Sequence, residues 1–121
     1  MAANQTPAGK AKRLWSAAKK RAAQLGVPFD LTQAFVAHKL ASGFCEATGL
    51  RFQFETSGKR FHPGPRAPSL DRIVASEGYT MNNIRAVVWQ FNLARNDYDD
   101  TFLFELAEAI AKRRSGRHLK A

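Results

Sequence analysis

Apolar and polar positions follow two different rhythms along this chain, one near its ends and one in its middle. Over Pro7–Leu25 the apolar residues recur with a helical period. Leu14, Ala18, Ala22 and Leu25 share one face, Trp15 flanks it, and Lys12, Arg13, Lys19 and Lys20 take the opposite side. Thr6 before Pro7 predicts an N-cap with proline at the first helical position, and Gly26 predicts the stop. After a turn at residues 27–30, Asp30 or Thr32 caps a second helix over about residues 32–41, with Phe35, Val36 and Leu40 inward and Ser42-Gly43 ending it. From Cys45 to Glu55 the period shortens. Leu50, Phe52 and Phe54 alternate with Arg51 and Gln53, which predicts an extended strand with a bend at Thr48-Gly49. Residues 56–68 are rich in Gly and Pro and predict a loop. Two short strands, 70–74 and Ile84–Val88, should enclose the turn residues Ser76-Glu77-Gly78 and Asn82-Asn83. A helix should then run to about Asn96, burying Trp89 and Leu93. A last one, 101–114, should bury Leu103, Leu106, Ala107 and Ile110.

The 121 residues suit a single domain, in which a basic helical region (1–43), a central finger (44–98) and a C-terminal helix with a basic tail (99–121) follow one another. Hydrophobic residues make up 45%, nine of them Phe, enough for a real core at this length. The formal charge of +9 favours a polyanionic partner through counterion release. The first acid is Asp30, so nothing nearby in the sequence neutralises the basic stripe of the first helix. Cys45 is the only cysteine, which excludes an internal disulfide and a Cys-rich structural zinc site. No apolar run has the length of a signal or membrane-spanning segment, so a cytoplasmic setting without membrane association is expected.

Candidate chemistry centres on Asp71 and Asn92. They lie 21 residues apart (92 − 71), one on a hairpin strand and one on the following helix. A carboxylate and an amide oxygen are a workable protein contribution to a hard divalent ion that takes its other ligands from phosphate and water. Asn92, Arg95 and Asn96 stand at i, i+3 and i+4 and share a helix face. Asn83, just before the second strand, is placed to brace the hairpin loop through its amide. A plainer reading of the same residues is open: Asp71 in an ordinary ion pair beside Arg72, and the asparagines on a solvated helix face. His62 lies on the loop before the hairpin, His38 on a helix and His118 in the basic tail.

Several of these segments occur in an order that is familiar. Cys45-Glu-Ala-Thr-Gly49, Pro68-Ser-Leu-Asp-Arg-Ile73, Gly78-Tyr79, Asn83-Ile-Arg85 and Asn92-Leu-Ala-Arg-Asn96, with residues 21–32 upstream, resemble the HNH, or His-Me finger, endonucleases of the phage type. The resemblance covers about residues 21–98. It implies an α+β fold: a ββα-metal core flanked by N- and C-terminal helices. It implies Mg²⁺ or Mn²⁺ held by Asp71 and Asn92, and Asn83 as the loop-bracing residue. The family's general-base His falls at position 72, where this chain has Arg. A guanidinium stays protonated and cannot be that base, so Arg72 would contact the scissile phosphate and His62, a metal-bound hydroxide or bulk water would take the proton. The implied function is a metal-dependent DNA endonuclease, phage-encoded. Lys12, Arg13, Lys19, Lys20, Arg85, Arg95, Asn96, Lys112, Arg113 and Arg114 would supply contacts to DNA. The alternative is a non-catalytic descendant that binds DNA or a host protein, with RNA binding a weaker third. Oligomeric state is left open, a homodimer included.

Overall fold

A computed structural model describes residues 6–54 and 63–120, with side chains as far as Gly116. The loop residues 55–62, His62 among them, lie outside the described residues, as does the His118 side chain.

Helix α1 (Pro7–Leu25) begins where the sequence sets its cap: Thr6 Oγ1 accepts from Gly9 N at 3.1 Å. It ends at Gly26, whose φ of 68° lies in the left-handed region that glycine adopts without steric cost. Its buried face is Ala11, Ala18 and Ala22, with Leu14 and Trp15 packed beside them, while Leu25 is exposed. Three alanines on the buried face leave α2 (Gln33–Ala41) room to approach, and the two helices pack together. Thr32, not Asp30, caps α2, by accepting from Phe35 N at 3.0 Å. Asp30 instead accepts from Met81 N at 2.8 Å and so clamps the hairpin loop. Trp15 Nε1 donates to Leu31 O at 2.7 Å, which ties α1 to the start of α2.

Over residues 45–54, the described part of the strand expected from Cys45 to Glu55, no ladder forms. Cys45 N bonds to Leu50 O, Gly49 N to Cys45 O and Phe52 N to Gly43 O, so the segment closes on itself as a tight loop. Gly49, at φ 76°, makes the turn. The alternation fails because local hydrogen bonds satisfy the backbone before a neighbouring strand can. Phe52 is buried and Leu50 exposed.

Strands β1 (Pro68–Arg72) and β2 (Ile84–Val88) form a two-stranded antiparallel sheet with Asp71 opposite Arg85 and Arg72 opposite Ile84. β1 starts two residues earlier than its apolar pattern suggests, because Pro68 and Ser69 are also buried and paired. Glu46 closes the outer side of β2: its Oε2 accepts from Ala86 N and its own N–H donates to Ala86 O at 2.9 Å. Gly78 is needed where the hairpin loop meets residues 27–30, since a Cβ there would collide with the Pro28 carbonyl that accepts from Tyr79 N at 2.9 Å.

β2 runs directly into α3 (Trp89–Arg95), whose Phe91 and Arg95 turn inward; Leu93 is exposed rather than buried. Asn96, at φ 57°, ends α3 and turns the chain toward α4 (Asp100–Lys120). Val36, Leu40, Ile84 and Val87 are the largest fully buried side chains, and they sit where α2 meets the hairpin. Each contributes roughly 1.5–3 kcal/mol by burial. Along α4 only Leu103 joins the core; Leu106 and Ile110 stay exposed. Beyond Leu103 the predicted buried stripe is therefore real as a pattern but is not covered by any of the described residues. No helix among the described residues is long and apolar enough to cross a membrane.

Candidate functional site

The hairpin and α3 meet α1 around one open cavity of about 540 Å³. Asp71 and Arg72 reach it from β1, Asn92, Arg95 and Asn96 from α3 and its end, and Leu14, Ala17 and Arg21 from α1. The fold thus brings the sequence-distant Asp71, Arg72 and Asn92 to one place.

Asn92 is oriented by its amide nitrogen. Nδ2 donates to Ser69 Oγ at 2.7 Å and to Leu70 O at 3.2 Å. Both amide hydrogens are thereby used on β1, and Oδ1 is left with no donor among the described residues.

Asp71 is in a different condition. Its Oδ1 accepts from Arg95 Nη1 at 2.5 Å and its Oδ2 from Arg85 Nε at 2.7 Å. The Asp71 and Arg95 side chains are each 2% exposed. Arg85 extends the cluster, since its Nη1 and Nη2 donate to Asp100 at 2.8 and 2.7 Å. Burial works against the Arg85 cation, but the hydrogen bonds and charges of Asp100 and Asp71 outweigh it and raise its pKa above the ordinary value. Hydrogen bonding to Arg85 leads the causes that hold the Asp100 carboxyl below its ordinary range. Arg95 Nε lies 2.8 Å from Asp100 Oδ1 but off the hydrogen-bond direction, so that contact is one of charge alone. Two carboxylates and two guanidiniums cancel, and the cluster is electrostatically closed.

Arg95 also donates to Arg72 O at 2.8 Å and to Ile73 O at 2.5 Å. It staples α3 to the end of β1. Arg85 and Arg95, expected among the DNA contacts, hold the two carboxylates inside the protein: Arg85 donates to Asp71 and Asp100, and the buried Arg95, which also lines the cavity, donates to Asp71. The signal that could have found this is the pairing register, which puts Asp71 directly across from Arg85. Asp100, by sequence an acid that matches the helix dipole, is the second carboxylate of the cluster.

Arg72 is half-buried. Its guanidinium lies 4.9 Å from the Tyr79 ring centre and donates through Nη1 to Glu77 O at 3.2 Å. Tyr79 also lines the cavity, so stacking aims the cation along the wall. Asn83 is buried and fully used: Oδ1 accepts from Val74 N at 2.9 Å while Nδ2 donates to Gly78 O at 2.8 Å and Val74 O at 3.2 Å. It braces the hairpin loop. Lys12, Arg13, Lys19 and Lys20 are exposed on α1, with Lys19 Nζ 5.1 Å from the Trp15 ring centre. Lys112, Arg113 and Arg114 are exposed on α4, away from the cavity. Arg21, outside the basic stripe that the sequence singles out, is the α1 cation that lines it.

With this geometry the molecule is similar to a solved structure. The rare-cutting HNH restriction endonuclease PacI superposes with a TM-score of 0.58 over 90% of this chain and 82% of that one, at 22% identity. The chain has the HNH endonuclease fold. At that identity the likeness is one of fold. No family model matches the sequence, and no curated protein does.

The sequence resemblance places a divalent ion at the Asp71–Asn92 position. Asn92 suits one, with its free amide oxygen. Asp71 does not, because its carboxylate is buried and each oxygen is held by a guanidinium, so an ion there would be crowded by two fixed cations. A dication bonded there would stand near two fixed cations, and each unit-charge repulsion at about 4 Å costs about 4 kcal/mol at an effective dielectric near 20. Among the described residues no three His, Cys, Asp or Glu side chains gather to hold a metal elsewhere. The residues present, as arranged, do not fit the ion.

Proposed function

We propose that this chain binds DNA on the HNH fold and holds a backbone phosphate in the α1–hairpin–α3 cavity without hydrolysing it. The observation that carries this reading is the buried Asp71 carboxylate, committed at each oxygen to a guanidinium, of Arg85 at one and Arg95 at the other. The group that would anchor a hydrolytic ion serves as a structural counter-charge. Arg at position 72, where a general base would stand, points the same way, since it offers a cation to phosphate and cannot accept a proton.

Arg72 from β1 and Arg21 from α1 both line the cavity. Together with the net charge of +9 they make an anion site within a field that draws polyanions. A step of about 100° per residue puts Arg13, Lys20 and Arg21 along the cavity side of α1, while Lys12 and Lys19 take the other edge beside Trp15. A DNA backbone crossing the cavity mouth follows the first set. The test is fluorescence anisotropy with a DNA duplex across a salt series. Salt-dependent binding that Arg21→Glu and Arg72→Glu each weaken supports the reading, and salt-insensitive binding overturns it.

The second reading is an endonuclease that uses Asp71 and Asn92 with Mg²⁺ or Mn²⁺. The observation that favours it is the Asn92 Oδ1 atom, left without a donor on the cavity that Asp71 and Arg72 also line. It requires Asp71 to part from at least one of its guanidiniums.

A further inference from the structure

The cavity offers more than an anion needs. Helix α3 runs beside β1 in the same direction: Trp89 N donates to Ala67 O at 2.8 Å, Asn92 holds Ser69 and Leu70, and Arg95 holds Arg72 and Ile73. The wall they share therefore changes character along its length. It begins at the half-buried Trp89, passes Asn92 and ends where Arg72 leaves the strand, about 9 Å on at 1.5 Å of rise per helical residue. Leu14 and Leu93 add to the apolar lining. A phosphate uses the Arg72 end alone and gains nothing from an indole and two leucines. A cavity of about 540 Å³ is of the size that encloses a small organic molecule.

The Asn92 amide narrows the choice of occupant. Leu70 O can only accept, so the Asn92 group that meets it is the nitrogen, and the amide has one orientation. Its Oδ1 is then an acceptor on the cavity with no donor among the described residues. Phosphate oxygens are acceptors too and cannot meet it. The N–H groups of a nucleobase can.

We infer that the cavity takes a whole unpaired nucleotide of a DNA strand, its base against Trp89 with an N–H on Asn92 Oδ1, and its phosphate toward Arg72. The inference rests on the phosphate reading above and adds the base to it. In a duplex the base N–H groups are used in pairing and both faces of the base are stacked, so a paired nucleotide does not enter. The ligand class is a strand with an unpaired position: a single strand, a gap or a loop.

The test is fluorescence anisotropy of the full chain with three probes of one sequence. The first is an intact duplex, the second the same duplex with a one-nucleotide gap that leaves one base unpaired, and the third that gap with an abasic residue at the unpaired position. The abasic gap keeps the charge, the backbone and the flexibility of the second probe and lacks only the base. The gapped probe is expected to bind about tenfold tighter than the abasic one, with the intact duplex no tighter than the abasic gap. Trp89→Leu keeps an apolar side chain and removes the aromatic face, so it should bring the gapped and abasic probes together. Misfolding would weaken both probes alike and leave their ratio unchanged. Equal affinity of the wild type for the gapped and abasic probes, with binding still salt-dependent, overturns the inference and leaves the phosphate reading standing. So does a preference for the gapped probe that survives Trp89→Leu, or an intact duplex that binds as tightly as the gapped one. Salt-insensitive binding to all three overturns both readings.

Discussion

Arg95 Nη1 lies 2.5 Å from Asp71 Oδ1, with both side chains 2% exposed. The same guanidinium reaches the carbonyls of Arg72 and Ile73. One buried ion pair therefore fixes the distance between the hairpin and α3, and with it the shape of the cavity. Removing one partner of a buried pair strands the other charge, which costs about 3–5 kcal/mol. Asp71→Ala is expected to lower stability by about that much in urea denaturation. A carboxylate that serves only as a metal ligand would behave oppositely in metal-free buffer, its removal leaving stability unchanged or raised.

Asn83 makes a prediction of a different kind, because its partners are all backbone. Asn83→Ala leaves Val74 N and Gly78 O without their side-chain partner. The cost is about 1–3 kcal/mol for each group that stays buried and unmet. Hydrogen exchange reads it locally: the Val74 amide should exchange much faster in the variant, while amides in α1 keep their relative protection.

Acid should loosen the cluster from its Asp100 side. The Asp100 pKa is lowered in the folded chain, first by hydrogen bonding to Arg85. A depressed carboxylate pKa contributes stability that is complete above the unfolded value and is lost as pH falls through the folded one. The denaturation midpoint is expected to be flat near neutrality and to fall below about pH 4. Asp100→Asn should start lower at neutral pH and lose less on acidification. The Asp100 side chain is one-quarter exposed, so solvent moderates the effect.

DNA affinity should depend on which edge of α1 is altered. Reversing Arg13, Lys20 and Arg21 is expected to flatten the plot of log affinity against log salt by about 0.9 for each phosphate no longer neutralised. Reversing Lys12 and Lys19 should change it less. Equal effects from both sets would place the DNA across the outer face of α1 instead of the cavity.

Much of the fold is legible in local chemistry. Thr6-Pro7 and Gly26 bound α1, and the turn residues around Gly78 separate two strands of which Ile84–Val88 forms as expected. Local hydrogen bonding at Gly49 overrides the alternation around Phe52, a competition that no apolar pattern encodes. Co-location of Asp71, Arg72 and Asn92 follows from motif order. The ionic state of Asp71 does not. It depends on Arg85 across the ladder, Arg95 one helical turn beyond Asn92, and Asp100 from the next helix, three neighbours that meet only in space. Exposure of Leu106 and Ile110 is likewise hidden, because a helical stripe reads the same whether it faces its own core or another molecule.

Supercoiled plasmid offers the sharpest decision between binding and hydrolysis, since both can be followed on one sample. With the plasmid saturated by protein in Mg²⁺ or Mn²⁺, an Asp71 held by Arg85 and Arg95 predicts retarded migration and, after the protein is stripped, plasmid that is still supercoiled. Nicked circles that appear only with the metal, vanish with EDTA and are lost in both Asp71→Asn and Asn92→Ala would contradict it and establish the hydrolytic reading.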